Sequence, residues 1–313
     1  MNNVTSAFKS INAGVPQGSV LGPILYLIYV NEIPNISKEF STCLFADDTT
    51  LIFEHSNKYD LFKSCDYGIN LFYSWCCSNR LSINIKKTKA MLFSNILKSV
   101  DIADFFMNNV MIELTSSIKF LGVFIDDNLK FNIHINTINK KISKNIGVMY
   151  NLRQYVTKNT LVTIYRSIIE SYLNYCILLF GNSFLTHISS LIISQKKAVR
   201  TIAGQPYNAH SNPIFIDLNL LKLSDMYKYN LGIYMWKNIE IFLQYFRINS
   251  FNTRSGNYYV PPIRRLTLTQ NQSIFYQAPL NWELIPPSIT NSVTLASFKR
   301  MYRSHLMSQY NTE

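Results

Sequence analysis

The sequence predicts an α+β chain in which residues 1–133 alternate short strands with helices and residues 134–313 are mostly helical. Three observations carry this reading. Apolar runs of strand length flank the pair Asp47-Asp48 and flank Gly122. From residue 135 onward apolar residues recur at helical steps of three and four. The charge shifts at nearly the same place: residues 1–127 hold 10 Lys+Arg against 12 Asp+Glu, whereas residues 128–313 hold 20 against 6. A basic half joined to a slightly acidic half points to a polyanionic partner. Nucleic acid and an anionic membrane surface both fit that charge, as does a set of solvated helix faces.

The elements follow in order. Residues 14–22, Gly-Val-Pro-Gln-Gly-Ser-Val-Leu-Gly, read as a loop, because three glycines and a proline fall within them. Ser19 is a candidate cap for the helix Leu21 to Asn31, which is apolar nearly all round and is expected to be buried. Residues 42–53 read as a hairpin with Asp47 and Asp48 at its turn. Leu61, Phe62, Cys65, Ile69, Phe72, Trp75 and Cys76 then mark one face of a helix. Leu81 to Asn84 and Ala90 to Phe93 read as strands around the basic turn Lys86-Lys87-Thr88-Lys89, and Ile118 to Ile125 as a further pair of strands around Gly122. Three helices are expected over 135–203, including Thr160 to Phe180 and Ile188 to Ile202, and more helix over 213–248. Residues 250–290 are rich in Pro and Asn and read as irregular, and an amphipathic helix runs from Ser297 to Tyr310.

Composition excludes several classes. A chain of 313 residues that is 48% hydrophobic and 15% charged can bury a core and is not a disordered tail. The longest apolar run, Val20 to Val30, is interrupted by Gly22 and Pro23 and is too short to span a bilayer. Residues 1–13 lack the apolar centre of a signal peptide, and the five cysteines show no C-x-x-C spacing. A reduced intracellular setting, cytoplasmic or nuclear, without a membrane partner, is the expectation.

Adjacent carboxylates at a turn repel one another unless a cation neutralises them. A divalent ion does so, and Mg²⁺ is commonly held by one or two carboxylates together with substrate phosphates. An Asp-Asp pair by itself more often reflects local turn chemistry, and Asp126-Asp127 reads that way. The company of Asp47 changes the odds. Pro16-Gln17-Gly18 is followed by Phe45-Ala46-Asp47-Asp48, then Trp75, Asn79-Arg80-Leu81-Ser82-Ile83-Asn84, Lys87-Thr88-Lys89 and Phe120-Leu121-Gly122-Val123.

This order resembles motifs B to E in the palm of reverse transcriptases from non-LTR (LINE-type) retrotransposons. The likeness is close over residues 14–134 and looser through the helical part, at Ser194 to Ile202 and Tyr276 to Pro287. It implies that Asp47 is a metal-binding aspartate for Mg²⁺ and Asp48 its supporting neighbour. Phe45 and Ala46 would pack beside the primer end, and Pro16, Gln17 and Gly18 would lie against template and incoming nucleotide. Lys87 or Lys89 would sit near the leaving phosphates, and Phe120, Leu121 and Gly122 would form the primer grip. RNA template and DNA primer are the implied partners, with no small-molecule cofactor.

The same resemblance divides the chain into a partial right-hand polymerase palm over 1–133, a helical thumb-like region over 134–205 and a helical and irregular C-terminal region over 206–313. Motif B begins at residue 14, and residues 1–13 contain no carboxylate, so a motif A aspartate and the fingers are missing. An N-terminally truncated polymerase, inactive alone, is therefore expected, with a non-catalytic nucleic-acid-binding remnant as the alternative. Lys196, Lys197 and Arg200 form the most one-sided basic cluster for nucleic acid, and Lys299, Arg300 and Arg303 form a second. Arg153/Tyr155 and Tyr165/Arg166 suit phosphate contact and base stacking, although ordinary amphipathic helices also place aromatics beside arginines.

Overall fold

The computed structural model describes residues 15, 18–93, 104–243, 246–247, 258–259 and 273–311. The chain divides into two compact units, Met1–Ser116 and Ser117–Glu313. Each has its own apolar core.

In the first unit, helix α1 (Gly22–Val30) begins where the Ser19 hydroxyl accepts the Gly22 N–H at 3.1 Å. Strands β1 (Ser41–Phe45) and β2 (Asp48–Ile52) pair antiparallel, with Phe45 opposite Asp48. Helix α2 (Lys58–Ser78) starts at Asn57, whose side chain accepts the Asp60 N–H at 2.8 Å. The apolar stripe read from sequence is the buried face: Cys65, Ile69, Phe72 and Cys76 all lie in the core.

Gly68 explains how the hairpin is mounted. Phe40, just before β1, and Phe53, just after β2, meet edge to face with centroids 5.5 Å apart. A Cβ on Gly68 would come within 2.6 Å of Phe53 and 2.9 Å of Phe40, so α2 has room for both rings only because residue 68 has no side chain. A second small sheet has the order β3 (Lys89–Ala90), β5 (Val110–Leu114), β4 (Phe105–Met107), with β3 parallel to β5 and β4 antiparallel to it.

The second unit opens on the hairpin β6 (Ser117–Phe120) and β7 (Val123–Asp126). Helix α3 (Asn132–Leu152) follows. Helix α4 (Lys158–Tyr165) then runs through a π turn, Arg166–Glu170, into α5 (Ser171–Asn174), and Cys176, at φ +55°, breaks the path before α6 (Ile177–Phe180). Helices α7 (Leu185–Ala203), α8 (Asn212–Asp217) and α9 (Leu223–Lys237) complete the centre of the bundle. Helices Ile274–Glu283 and Leu295–Ser308 pack against it, with Trp282 stacked on Phe298 at 5.6 Å. Gln195 ties the interior together. It is buried, donates to the Tyr165 hydroxyl at 3.0 Å and the Leu221 carbonyl at 2.9 Å, and accepts the Leu223 N–H at 2.8 Å. All its bonds are internal, as burial of an amide requires.

Four expectations need correction. Helix α1 exists but is not buried: Leu27 and Ile28 are 63% and 68% exposed, only Val30 is buried, and Tyr26 packs half-buried against the core. An all-round apolar helix announces that something covers it, and no layer among the described residues does so. Leu81–Asn84 forms no strand, because the Leu81 N–H returns to the Cys76 carbonyl at 2.8 Å and a 3₁₀ turn, Ile85–Lys87, follows at once. The next strand is Lys89–Ala90 and not Ala90 to Phe93. Residues 274–283, expected to be irregular, form a helix with Pro279 inside it; burial of Ala278, Pro279 and Asn281 against the bundle overrides the breaker signal.

Candidate functional site

The β1–β2 turn consists of Ala46 and Asp47, and Asp48 is the first residue of β2. Ala46 takes φ +50°, a left-handed conformation that costs an L-residue with a Cβ about 1–2 kcal/mol. Strain of this kind concentrates at functional turns. Its effect here is to hold Asp47 at the tip while Phe45 and Asp48 stay in register behind it. Phe45, Ala46, Asp47 and Asp48 are all exposed.

One residue that sequence reasoning read as core joins this turn. Tyr26 of α1 has its hydroxyl pKa raised, first by burial and next by the negative charge of Asp47. Tyr26 is thus the group on α1 whose polar end feels the aspartate. No sequence signal separates it from its apolar neighbours, because a tyrosine in such a run reads as packing. Gly18, in the loop before α1, has φ +85°, a conformation suited to glycine. Pro16 and Gln17 lie outside the described residues.

The two basic candidates after α2 behave differently. Lys89 is paired with Glu113 at 3.0 Å across the β3–β5 ladder. Lys87 is exposed in the 3₁₀ turn and makes no ion pair among the described residues.

Among the described residues, no group of three or more His, Cys, Asp or Glu side chains is placed to hold a metal ion. Asp47 and Asp48 could offer oxygen ligands to Mg²⁺, but two adjacent carboxylates do not make a complete two-metal site. The donors among the described residues therefore do not make up a catalytic metal centre by themselves.

In the second unit, Leu121 (φ +44°) and Gly122 (φ +89°) form the two-residue β6–β7 turn. Positive φ at both central positions marks the tight hairpin family whose twist matches its strands. The Tyr175 hydroxyl donates to the Leu121 carbonyl at 2.6 Å, so the helix break before Cys176 holds the hairpin tip. At its other end, Asp126 accepts the Lys130 N–H at 2.6 Å, which is the turn chemistry expected of Asp126-Asp127. Phe120 is half-buried and Gly122 exposed.

His134 of α3 is buried, and its Nδ1 accepts the Phe124 N–H of β7 at 3.4 Å. Its Nε2 is buried without a partner among the described residues. Burial, then the charge of Lys141, pushes its pKa down, so the ring is held neutral.

The basic cluster on α7 is partly structural. Lys197 is exposed and Lys196 half-buried, whereas Arg200 donates to the Ala209 carbonyl at 2.8 Å and clamps the loop after the helix. Arg303 of the second cluster likewise donates to the Asn219 carbonyl at 2.7 Å. Tyr165 is fully buried and belongs to the core, while Arg153 stacks over Tyr150 at 4.0 Å.

Residues 1–125 match the family model described as reverse transcriptase (RNA-dependent DNA polymerase). The chain is 30% identical over 230 residues to the RNA-directed DNA polymerase from mobile element jockey of Drosophila funebris, covering 70% of this chain and 25% of that protein. It is 26% identical over 231 residues to the probable RNA-directed DNA polymerase from transposon X-element of Drosophila melanogaster, covering 72% and 25%. It is 25% identical over 139 residues to a retrovirus-related Pol polyprotein from a type-1 retrotransposable element of Nasonia vitripennis, covering 42% and 34%. No solved structure matches. Residues 1–125 are therefore a reverse transcriptase domain. The relatives set it among those of non-LTR, LINE-type retrotransposons. The chain spans about a quarter of the length of the jockey and X-element proteins.

Proposed function

We propose that this chain supplies the metal-turn half of a polymerase palm together with a helical, thumb-like grip on RNA template and DNA primer. Asp47 is the metal-binding aspartate in this reading and Asp48 its neighbour. The β6–β7 tip at Phe120, Leu121 and Gly122 is the primer grip, and Lys196 and Lys197 meet phosphates. Of the two candidate lysines, Lys87 suits the leaving phosphates better, since Glu113 already holds Lys89. The palm in this reading comprises the first unit and the β6–β7 hairpin, and the helices from Asn132 onward form the thumb and the region after it.

The observation that carries the proposal is the Asp47 turn. A strained Ala46 presents a carboxylate at the tip of an apolar hairpin, within a domain whose family polymerises nucleotides. Because two carboxylates are all the turn offers, the chain alone is expected to bind template–primer without extending it. Primer extension on an RNA template with Mg²⁺, comparing wild type with Asp47→Ala, tests this. No extension by either protein, with template–primer still retained, is the expected result. Extension by the wild type and none by Asp47→Ala would mean that further ligands complete the site, and that the chain is a polymerase in its own right.

A further inference from the structure

The π turn lies at a cleft that the palm and grip do not use. The cleft has a volume of about 280 Å³, near the lower end of ligand pockets, and lies wholly within the second unit. Glu170 ends the π turn, in which the Ser171 N–H reaches back to the Arg166 carbonyl. Single π turns inside helices recur at functional sites. Arg166 and Arg303 flank the carboxylate, Leu221 and Met226 supply apolar wall, and Asn230 donates to Asn174 at 2.8 Å on the rim.

The charges here select a ligand. Glu170 is the one acidic residue between positions 128 and 216, a stretch with ten Lys and Arg. Its pKa is raised by burial, and Arg303 and then Arg166 act against that rise. Neither arginine closes to an ion pair with it among the described residues. A phosphate seated on Glu170 would meet a like charge, and a cation would meet two guanidiniums. A neutral group with N–H donors fits, provided that its attached chain is anionic and can lie along the arginines. A nucleobase on its phosphate backbone has that design. Among bases, guanine presents two adjacent N–H donors on its Watson–Crick edge, matching the two oxygens of one carboxylate.

We infer that this cleft is a base-reading subsite for a guanosine of single-stranded nucleic acid, with Glu170 accepting from the base and Arg166 and Arg303 facing its phosphates. The inference rests on the proposed nucleic-acid binding of the helical unit and adds to it a site and a base.

The test is fluorescence anisotropy of the full chain with short uridine RNAs carrying a central guanosine, adenosine or cytidine, in lithium buffer to suppress guanine stacking. Wild type is expected to bind the guanosine strand on the order of tenfold more tightly, the usual scale for hydrogen bonds to a charged acceptor. Glu170→Gln, which removes a negative charge, should bind every strand at least as well and lose the preference to within about twofold. Arg166→Gln should weaken all strands alike and keep the preference. A thermal melt of each variant separates these effects from unfolding. Equal binding of all strands by the wild type overturns the subsite and leaves the nucleic-acid reading intact, whereas binding of none overturns both. A guanosine preference that survives Glu170→Gln also overturns the subsite, and so does a loss of preference in Arg166→Gln alone.

Discussion

One backbone position and one buried ring carry most of the consequences at the residue scale. Ala46 sits at φ +50° beside Asp47 without the freedom of glycine. Ala46→Gly should therefore stabilise the first unit by about 1 kcal/mol, read as a higher denaturation midpoint with an unchanged slope. An unchanged or lower midpoint would show that the turn is not strained. His134 makes one contribution to stability that depends on pH. Its folded pKa is lowered from 6.5 by burial, so the unfolded chain takes up the proton first. That contribution is thus full above pH 6.5 and falls as pH drops below 6.5 toward the lowered folded value. His134→Asn can still accept the Phe124 N–H but cannot titrate. Its melting temperature should lose less than that of wild type between neutral and mildly acidic buffer, and equal losses would remove His134 as the cause.

At the scale of elements, the β1–β2 and β6–β7 hairpins each lean on a contact from a helix or from a helix break. Gly68 lets Phe40 and Phe53 close on α2, so Gly68→Ala must move those rings by several tenths of an ångström or more. Overpacking of this kind costs about 1–3 kcal/mol, and a chemical denaturation curve should show it. A neutral outcome would mean that the rings shift freely and the hairpin is not held there. The Tyr175 hydroxyl fixes the β6–β7 tip, and Tyr175→Phe removes that bond while keeping the ring beside Gly122. Template–primer affinity should fall severalfold with little change in melting temperature; an unchanged affinity would separate the tip from primer binding.

These contacts also mark what sequence could and could not convey. The strands around Asp47-Asp48 and Gly122, the buried stripe of α2 and the C-terminal amphipathic helix were legible because periodicity encodes which face is covered. The exposure of α1 was not, since hydropathy states that a surface is apolar and not what lies on it. The helix through Pro279 and the role of Gln195 were hidden for a related reason: both depend on tertiary partners distant in sequence. The placement of Asp47 at a hairpin turn was legible from its neighbours, while its electrostatic influence on Tyr26 was not. Arg200 donates its Nε–H to a carbonyl nine residues later, a structural bond that a basic spacing does not reveal.

The whole molecule combines a nearly neutral first unit with a strongly basic second one. Met1–Ser116 holds 9 Lys+Arg against 10 Asp+Glu, and Ser117–Glu313 holds 21 against 8. Such a distribution places the positive charge on the second unit and the carboxylate turn on the first. Helix α1 leaves Leu27 and Ile28 open to solvent, an exposed apolar surface of the kind that favours association. The proposed grip on template–primer runs through the basic unit. It is tested most directly by measuring affinity for an RNA–DNA template–primer across a series of salt concentrations, for wild type and for Lys196→Ala/Lys197→Ala. Affinity should fall linearly on a log–log plot as salt rises, with a slope reduced by about one to two in the double variant. Absent binding, or binding indifferent to salt, would contradict it.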